Sequence, residues 1–508
     1  MELIKRNIHM SRVKNNFVTQ VTLDDDFNVP DTKPDIEKVI CDKTRAVLEN
    51  SHFNDKKAIV TGQLEFMLLY QAENSMIDRM AGVIPINETV NIEDASDGTY
   101  KTAVKIDDVT IKIINSRKIS VRAILSIVVT AEEFYDEEII TGVDEEDMCV
   151  LEEKLEYAQL AISSKDTLRV REDIELPQSK PNIEDILWHE TEVSGISTRV
   201  TEEGLTVKGE AKIFVIYKTA DEKNPYIWHE DSKSFTGVVD ISGSSEDMIS
   251  EIEVNLSSEK VEVKTDYDGE DRIIAMDIVL ELDIKTYEEN SMDMISDMYS
   301  TKCEVKCGYD NVKYERLLIK NTVKNRVTGR IKVNEKVLTI CHVTGQIKID
   351  NVELEGDYIT VEGVVIANIM YIGAENDIPV ASMSGTIPFE EKIEVKGINE
   401  NARYNVGASI ENIMASMISG EEAEIKVSIL LDVIAFARIE KNVIQNVMLE
   451  ETDKNAAMKK PALVGYVVKQ GDTLWDIAKR YKTTIDTIKT VNELSGERIA
   501  QGEKIIIV

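Results

Sequence analysis

The chain is short of several residue types, and each shortage argues against a class of protein. Its 508 residues include five cysteines, a small and odd number that argues against a disulfide framework and for a reducing cytosol. No run of about eighteen apolar residues occurs, and no signal-peptide-like stretch follows Met1. We therefore expect no transmembrane segment and a protein that stays in the compartment where it is made.

Positive charge is also scarce. The chain carries 59 Lys and Arg against 94 Asp and Glu, a net charge of -35, which argues against nucleic acid and anionic lipid as partners. The last 45 residues differ, since from Val464 onward there are seven basic and six acidic residues. The first 463 residues thus hold 52 basic against 88 acidic side chains, which is where the negative charge lies.

Catalytic and metal-binding patterns are missing as well. The five histidines form no His-x-x-x-His pair, and no glycine-rich phosphate loop or Gly-x-Ser-x-Gly turn occurs. Glu49 and His52 have metal-ligand spacing but no partner set, and Cys303 and Cys307 have no second pair nearby. The sequence therefore predicts a protein that is not an enzyme, with no catalytic residues, no metal ligands and no cofactor.

The part of the chain before residue 464 is too long for one hydrophobic core. An internal repeat accounts for most of it. Residues 29–40 return as residues 176–187, and both copies contain Pro-x-x-Lys-Pro. The second proline of each copy, Pro34 and Pro181, suits the first turn of a helix, and the apolar residues after it fall three or four apart. The pattern predicts a short helix after each Lys-Pro pair.

Longer β-type runs repeat three times. The runs come in pairs. The first run of each pair ends in tyrosine, and a second apolar run follows about sixty residues later. The pairs are 60–70 with 119–129, 207–217 with 273–284, and 361–371 with 425–435. The period is mostly two, with Val, Ile and Thr enriched. We predict three tandem antiparallel β domains of sandwich or open-barrel type, at 1–150, 165–295 and 305–450. The third is divergent, because it keeps no Lys-Pro pair.

The connections between these domains differ in composition. Residues 144–161 are acidic and helix-prone, and residues 450–461 are polar. The second segment predicts a tether that few contacts cross before the final domain.

The final domain, residues 464–508, predicts strand, helix, helix, strand. Asp472 or Thr473 can cap the first helix, and Asn492 closes the second. Trp475 and Ile477 are expected in the core. A lone pair of strands needs such a helical cover to be stable.

These residues resemble a LysM domain over its whole length, through Val467-Val468-Lys469-Gln470-Gly471-Asp472-Thr473-Leu474, Asn492-Glu493-Leu494 and Gln501-Gly502-Glu503-Lys504. LysM domains bind glycans that contain N-acetylglucosamine, such as peptidoglycan or chitin. The resemblance implies a shallow groove between two loops. Carried over by position, the groove residues are Gly471, Asp472, Thr473, Leu474, Asn492, Glu493 and Leu494.

The repeats resemble the SPOCS domain of spore-forming bacteria, through the Leu-Pro-x-x-Lys-Pro-x-Ile turn at 176–183 and the strand that follows. SPOCS repeats that end in a LysM domain resemble the SipL-type, SpoVID-like family of spore coat morphogenetic proteins. The resemblance implies a cytoplasmic protein of the mother cell that collects at the forespore surface. It also implies that LysM binds the SpoIVA-like ATPase of the basal layer, and other coat proteins are further partners. The alternative is a protein that binds peptidoglycan or N-acetylglucosamine glycans.

Overall fold

The computed structural model describes residues 2–54, 56–73, 76–92, 99–145, 147–332, 336–373, 380–450 and 463–508. Within these residues the chain forms three six-stranded units and one small α/β module. In each unit the first and last strands pair with each other, so that both ends of the unit lie in one sheet.

The first unit contains two three-stranded antiparallel sheets, in the orders β1-β6-β5 and β2-β3-β4. Its strands are β1 (Glu2–Asn28), β2 (Ile36–Asn54), β3 (Lys57–Ala72), β4 (Ile77–Asn91), β5 (Thr99–Asn115) and β6 (Lys118–Asp144). Leu68 of β3, Ile86 of β4 and Leu125 of β6 meet in the core between the sheets. Alternate residues of β6 from Ile119 to Val129 are completely buried, as period-two patterning requires.

The second and third units repeat this plan. The second has the sheets β7-β12-β11 and β8-β9-β10, and the third has β13-β18-β17 and β14-β15-β16. The strands of the second are β7 (Met148–Glu175), β8 (Asp185–Thr201), β9 (Gly204–Lys218), β10 (Tyr226–Val239), β11 (Ile249–Thr265) and β12 (Asp271–Ser300). Those of the third are β13 (Glu304–Lys332), β14 (Val337–Glu355), β15 (Tyr358–Gly373), β16 (Ala381–Glu394), β17 (Arg403–Ser419) and β18 (Glu422–Glu450). The predicted mainly β fold of three antiparallel repeats and a terminal βααβ domain is confirmed.

The central strands β3 and β15 both contain Val-x-Gly, at residues 60–62 and 361–363. The need for glycine at the third position is steric. A Cβ at Gly62 would lie 2.3 Å from the Val47 carbonyl oxygen of the neighbouring strand, and one at Gly363 would lie 2.4 Å from that of Lys348. A side chain at either position would push the neighbouring strand away, so the sheet requires glycine there.

The prediction of a short helix after each Lys-Pro pair is wrong. The structure has a tight turn instead, closed by hydrogen bonds from Lys33 N to Pro30 O and from Lys180 N to Pro177 O, both 2.9 Å long. Strands then begin at Ile36 and Asp185. The reason is that Ile36 joins a β-ladder, opposite Ala72, and helical backbone cannot make that pairing.

The expectation of a helix-prone linker at 144–161 is also wrong, although the segment is acidic. Most of it belongs to β7, which pairs with β12 from Met148 opposite Ser300 to Glu175 opposite Ile273. The domain limits remain a prediction, and this pairing favours a second unit that begins near Met148 and ends near Ser300.

Clusters of buried side chains join the three units, among them two of ten residues each. The strand-end cluster gathers the far ends of the paired terminal strands, from Ile8, Met10, Ile139, Leu155, Tyr157, Met292, Met294, Val312, Tyr314 and Val443. The inner-sheet cluster joins the other three sheets, from Ile40, Leu69, Ile77, Leu187, Trp188, Phe214, Ile216, Cys341, Met370 and Val380. The units therefore pack into one body through apolar contacts. Neither helix of the described chain has the length and apolarity needed to span a membrane.

Candidate functional site

The terminal module follows the predicted order of elements. Its strands β19 (Val464–Val467) and β20 (Lys504–Ile507) pair antiparallel, and α1 (Leu474–Tyr481) and α2 (Ile485–Val491) lie between them in sequence. Thr473 caps α1 as predicted: its Oγ1 accepts a hydrogen bond from Asp476 N, and Asp476 Oδ2 accepts one from Thr473 N. Ile477 is completely buried, as expected of a core residue.

The predicted groove residues of the first loop contribute to the module's own structure. Gly471 has a φ of +88°, which the glycine tolerates in the turn before α1. Asp472 Oδ2 accepts hydrogen bonds from Tyr466 Oη at 2.6 Å and from Lys469 N at 2.8 Å, and these bonds lower the pKa of Asp472. Leu474 is 2% exposed and lies in the module core. Gly471 and Thr473 are exposed.

The second loop is similarly constrained. Asn492 Nδ2 donates to the carbonyl oxygens of Ile488 and Ile506, and its Oδ1 accepts from Ile506 N. Glu493 is exposed and has a φ of 55°, while Leu494 packs against the same cluster as Leu474. The structure thus brings the two leucines into one core. A partner at these loops would meet backbone groups and the Glu493 carboxylate rather than free amide or hydroxyl side chains.

The module is docked onto the body, in contrast to the expected tether with few crossing contacts. Asp297 of β12 accepts hydrogen bonds from Trp475 Nε1 at 2.8 Å, from Lys479 Nζ at 2.6 Å and from Tyr309 Oη at 3.0 Å. Tyr299 Oη donates to the Thr483 carbonyl oxygen at 2.8 Å. The tether itself, residues 451–461, lies outside the described residues.

Electrostatics and aromatic packing both stabilise this contact. Partial burial of Asp297 opposes ionisation, but the hydrogen bonds from Lys479, Trp475 and Tyr309 dominate and lower the pKa of Asp297. The rings of Tyr299 and Trp475 meet edge to face, with centroids 4.9 Å apart. Trp475 is thus both a core residue and a contact with the body, and only its core role is predicted from the sequence. Trp475 and Lys479 lie four residues apart on one face of α1, which is why both side chains reach Asp297.

The candidate metal pairs do not form a site. Glu49 and His52 lie on strand β2 rather than on a helix, and Cys307 lies on β13. Among the residues that the structure describes, no three His, Cys, Asp or Glu side chains are grouped closely enough to hold a metal ion.

The comparisons with known proteins agree with this architecture. The family model described as the SPOCS domain of SipL matches residues 35–114, 182–265 and 336–418, and the LysM domain model matches residues 466–508. A relative from Listeria grayi, named probable endopeptidase p60, is 49% identical over 41 residues, which cover 8% of this chain and 8% of that protein. No solved structure matches the chain significantly.

Three SPOCS domains and a LysM domain define a sporulation-related repeat scaffold with a terminal binding module. Both are non-catalytic binding domains. The chain thus contains three SipL-type SPOCS domains and a C-terminal LysM domain, which matches the family resemblance found in its sequence.

Proposed function

We propose that this protein is a non-enzymatic scaffold of spore coat assembly. It acts in the cytoplasm of the mother cell, at the forespore surface, and joins the coat to its basal layer. The LysM groove binds a SpoIVA-like ATPase protein of that layer through the loop backbone at 471–474 and 492–494 and the Glu493 carboxylate. The acidic body contacts other coat proteins.

The observation that carries this proposal is the docking of α1 onto Asp297 and Tyr299 of the body. Because the module is held against a large scaffold, a protein bound at its loops acquires a defined position relative to three SPOCS units. The charge distribution supports the same function. The near-neutral module can approach a surface that repels a body with 52 basic and 88 acidic residues.

The second candidate function is binding of peptidoglycan or other N-acetylglucosamine glycans. The match to the LysM family favours it. Exposed loop backbone can donate hydrogen bonds to acetamido and hydroxyl groups.

Localisation in sporulating cells tests the proposal with two matched variants. Glu493→Arg and Glu497→Arg change charge equally at exposed positions of one loop region, but only Glu493 belongs to the groove. We expect the fluorescently tagged Glu493→Arg chain to remain dispersed in the mother cell, while the Glu497→Arg chain surrounds the forespore. Forespore localisation of both variants would contradict a role for the groove.

A further inference from the structure

A cavity of about 400 Å³ lies between the first two units, away from the LysM module. Strands β2, β3 and β4 of the first unit line one part of it, and β8 and β11 of the second unit line the rest. This volume lies in the range of small-molecule sites, which is roughly 300–1,000 Å³.

Three residues that line the cavity each have a buried polar atom without a hydrogen-bond partner. The atoms are Arg45 Nη1, Glu259 Oε2 and His189 Nδ1. The Glu259 side chain is only 8% exposed, so its unpaired oxygen is costly unless something binds to it. A donor and an acceptor without partners thus belong to two residues, one from each unit, that line the same cavity.

The charges of the lining cancel in pairs. Lys43 Nζ lies 2.5 Å from Glu259 Oε1, and Arg45 Nη2 lies 2.7 Å from Glu65 Oε2. Burial lowers the pKa of His189 to about 4, so its ring is neutral at pH 7. An anion or a cation would leave an uncompensated charge in this space, whereas an uncharged molecule would not.

The remaining lining is apolar and includes Phe66, Met67 and Val83. From these features we propose that the cavity binds an uncharged small molecule in which an amide lies beside an apolar group. Arg45 Nη1 donates to the amide oxygen, and Glu259 Oε2 accepts from the amide N–H. The apolar group packs against Phe66 and Met67. The LysM groove shares no residue with this site.

Three probes with the same side chain and different charge test the ligand class. They are N-acetyl-L-leucinamide, which is neutral, L-leucinamide, which is a cation, and N-acetyl-L-leucine, which is an anion. Titration of the full chain at pH 7, followed by NMR, should show saturable binding of the neutral probe on the order of millimolar, as its small size dictates. Both charged probes should bind at least tenfold more weakly. No saturable binding of the neutral probe, or equal binding of a charged one, would overturn the proposal.

Variants locate the binding. Ala81 lies at the cavity on the edge strand β4 and is exposed, so Ala81→Trp should fill the space without entering a core. Thr89→Trp places the same ring on the same face of β4, eight residues away, as the control. Arg45→Lys keeps the charge beside Glu65 but removes the unpaired N–H. We expect Ala81→Trp and Arg45→Lys to weaken binding at least fivefold with unchanged thermal melts, and Thr89→Trp to leave it unchanged. Undiminished binding in a folded Ala81→Trp chain would place the probe elsewhere and refute the site.

Discussion

At the scale of single residues, two arginines hold the Lys-Pro turns. Arg117 donates to the carbonyl oxygens of Val29, Pro30 and Lys33, and Arg272 makes the same three bonds in the second unit, to Leu176, Pro177 and Lys180. The tyrosines that end the central strands complete the arrangement, since Tyr70 donates to Pro34 O and Tyr217 to Pro181 O. The repeated turn and the repeated tyrosine are therefore two parts of one hydrogen-bonded structure.

This structure predicts unequal costs of substitution within one turn. Ile36 is 2% exposed in the first core, so Ile36→Asp should destabilise the chain by several kcal/mol by burying an unpaired charge. Lys33 pairs with Asp78 at a partly exposed position, so Lys33→Ala should cost no more than about 1 kcal/mol. Chemical unfolding of both variants measures the difference. Large and equal losses would indicate that the turn has a role beyond packing.

His189 should account for part of the acid sensitivity of the chain. Its pKa is lowered by burial from 6.5 to about 4, so the unfolded chain takes up this proton first as the pH falls. Its contribution to stability is fully present above pH 6.5 and is lost between pH 6.5 and about 4, at up to about 3 kcal/mol. The unfolding midpoint of His189→Gln should fall less over this range than that of the natural chain.

His52, an exposed histidine on β2, supplies the control for that measurement. His52→Gln should retain the acid sensitivity of the natural chain. The assignment to His189 fails if the His189→Gln chain keeps the full pH dependence.

At the scale of elements, the long terminal strands have two tasks. The first half of β6, from Ile119 to Val129, fills the core of its own unit, and Ile139 near its end joins the strand-end cluster. The alternation at 119–129 was sufficient to predict the first task. The second depends on contacts with side chains of the other two units, which a local pattern does not encode. The same limit explains the missed docking surface on β12.

Substitution of Asp297 tests the contact between the module and the body. Asp297→Ala removes the acceptor of Trp475 and Lys479, and Asp293→Ala changes an exposed position of the same strand as a control. We expect faster hydrogen exchange in α1 for Asp297→Ala alone, because losing a partly buried, charge-assisted contact costs roughly 1–3 kcal/mol. Unchanged exchange would mean that Asp297 does not hold the module.

At the scale of the whole molecule, the LysM module shows which structural features its sequence motif predicts and which it does not. The LysM motif placed the two loops, the cap at Thr473 and the βααβ order correctly. It could not reveal that Asp472 and Asn492 bind their own module, since the same residue types serve capping and ligand binding. It also could not locate the module on the body, because Asp297 lies 178 residues from Trp475 and Tyr299 lies 184 residues from Thr483 in sequence.

The ligand class of the LysM groove decides between the two candidate functions. The purified full chain is titrated with a purified SpoIVA-like protein and, separately, with purified peptidoglycan, alongside Glu493→Arg and Glu497→Arg. The scaffold function predicts saturable binding to the SpoIVA-like protein. Glu493→Arg should weaken this binding at least tenfold, and Glu497→Arg should leave it unchanged. Tight, saturable retention on peptidoglycan with no binding to the SpoIVA-like protein would contradict the scaffold function.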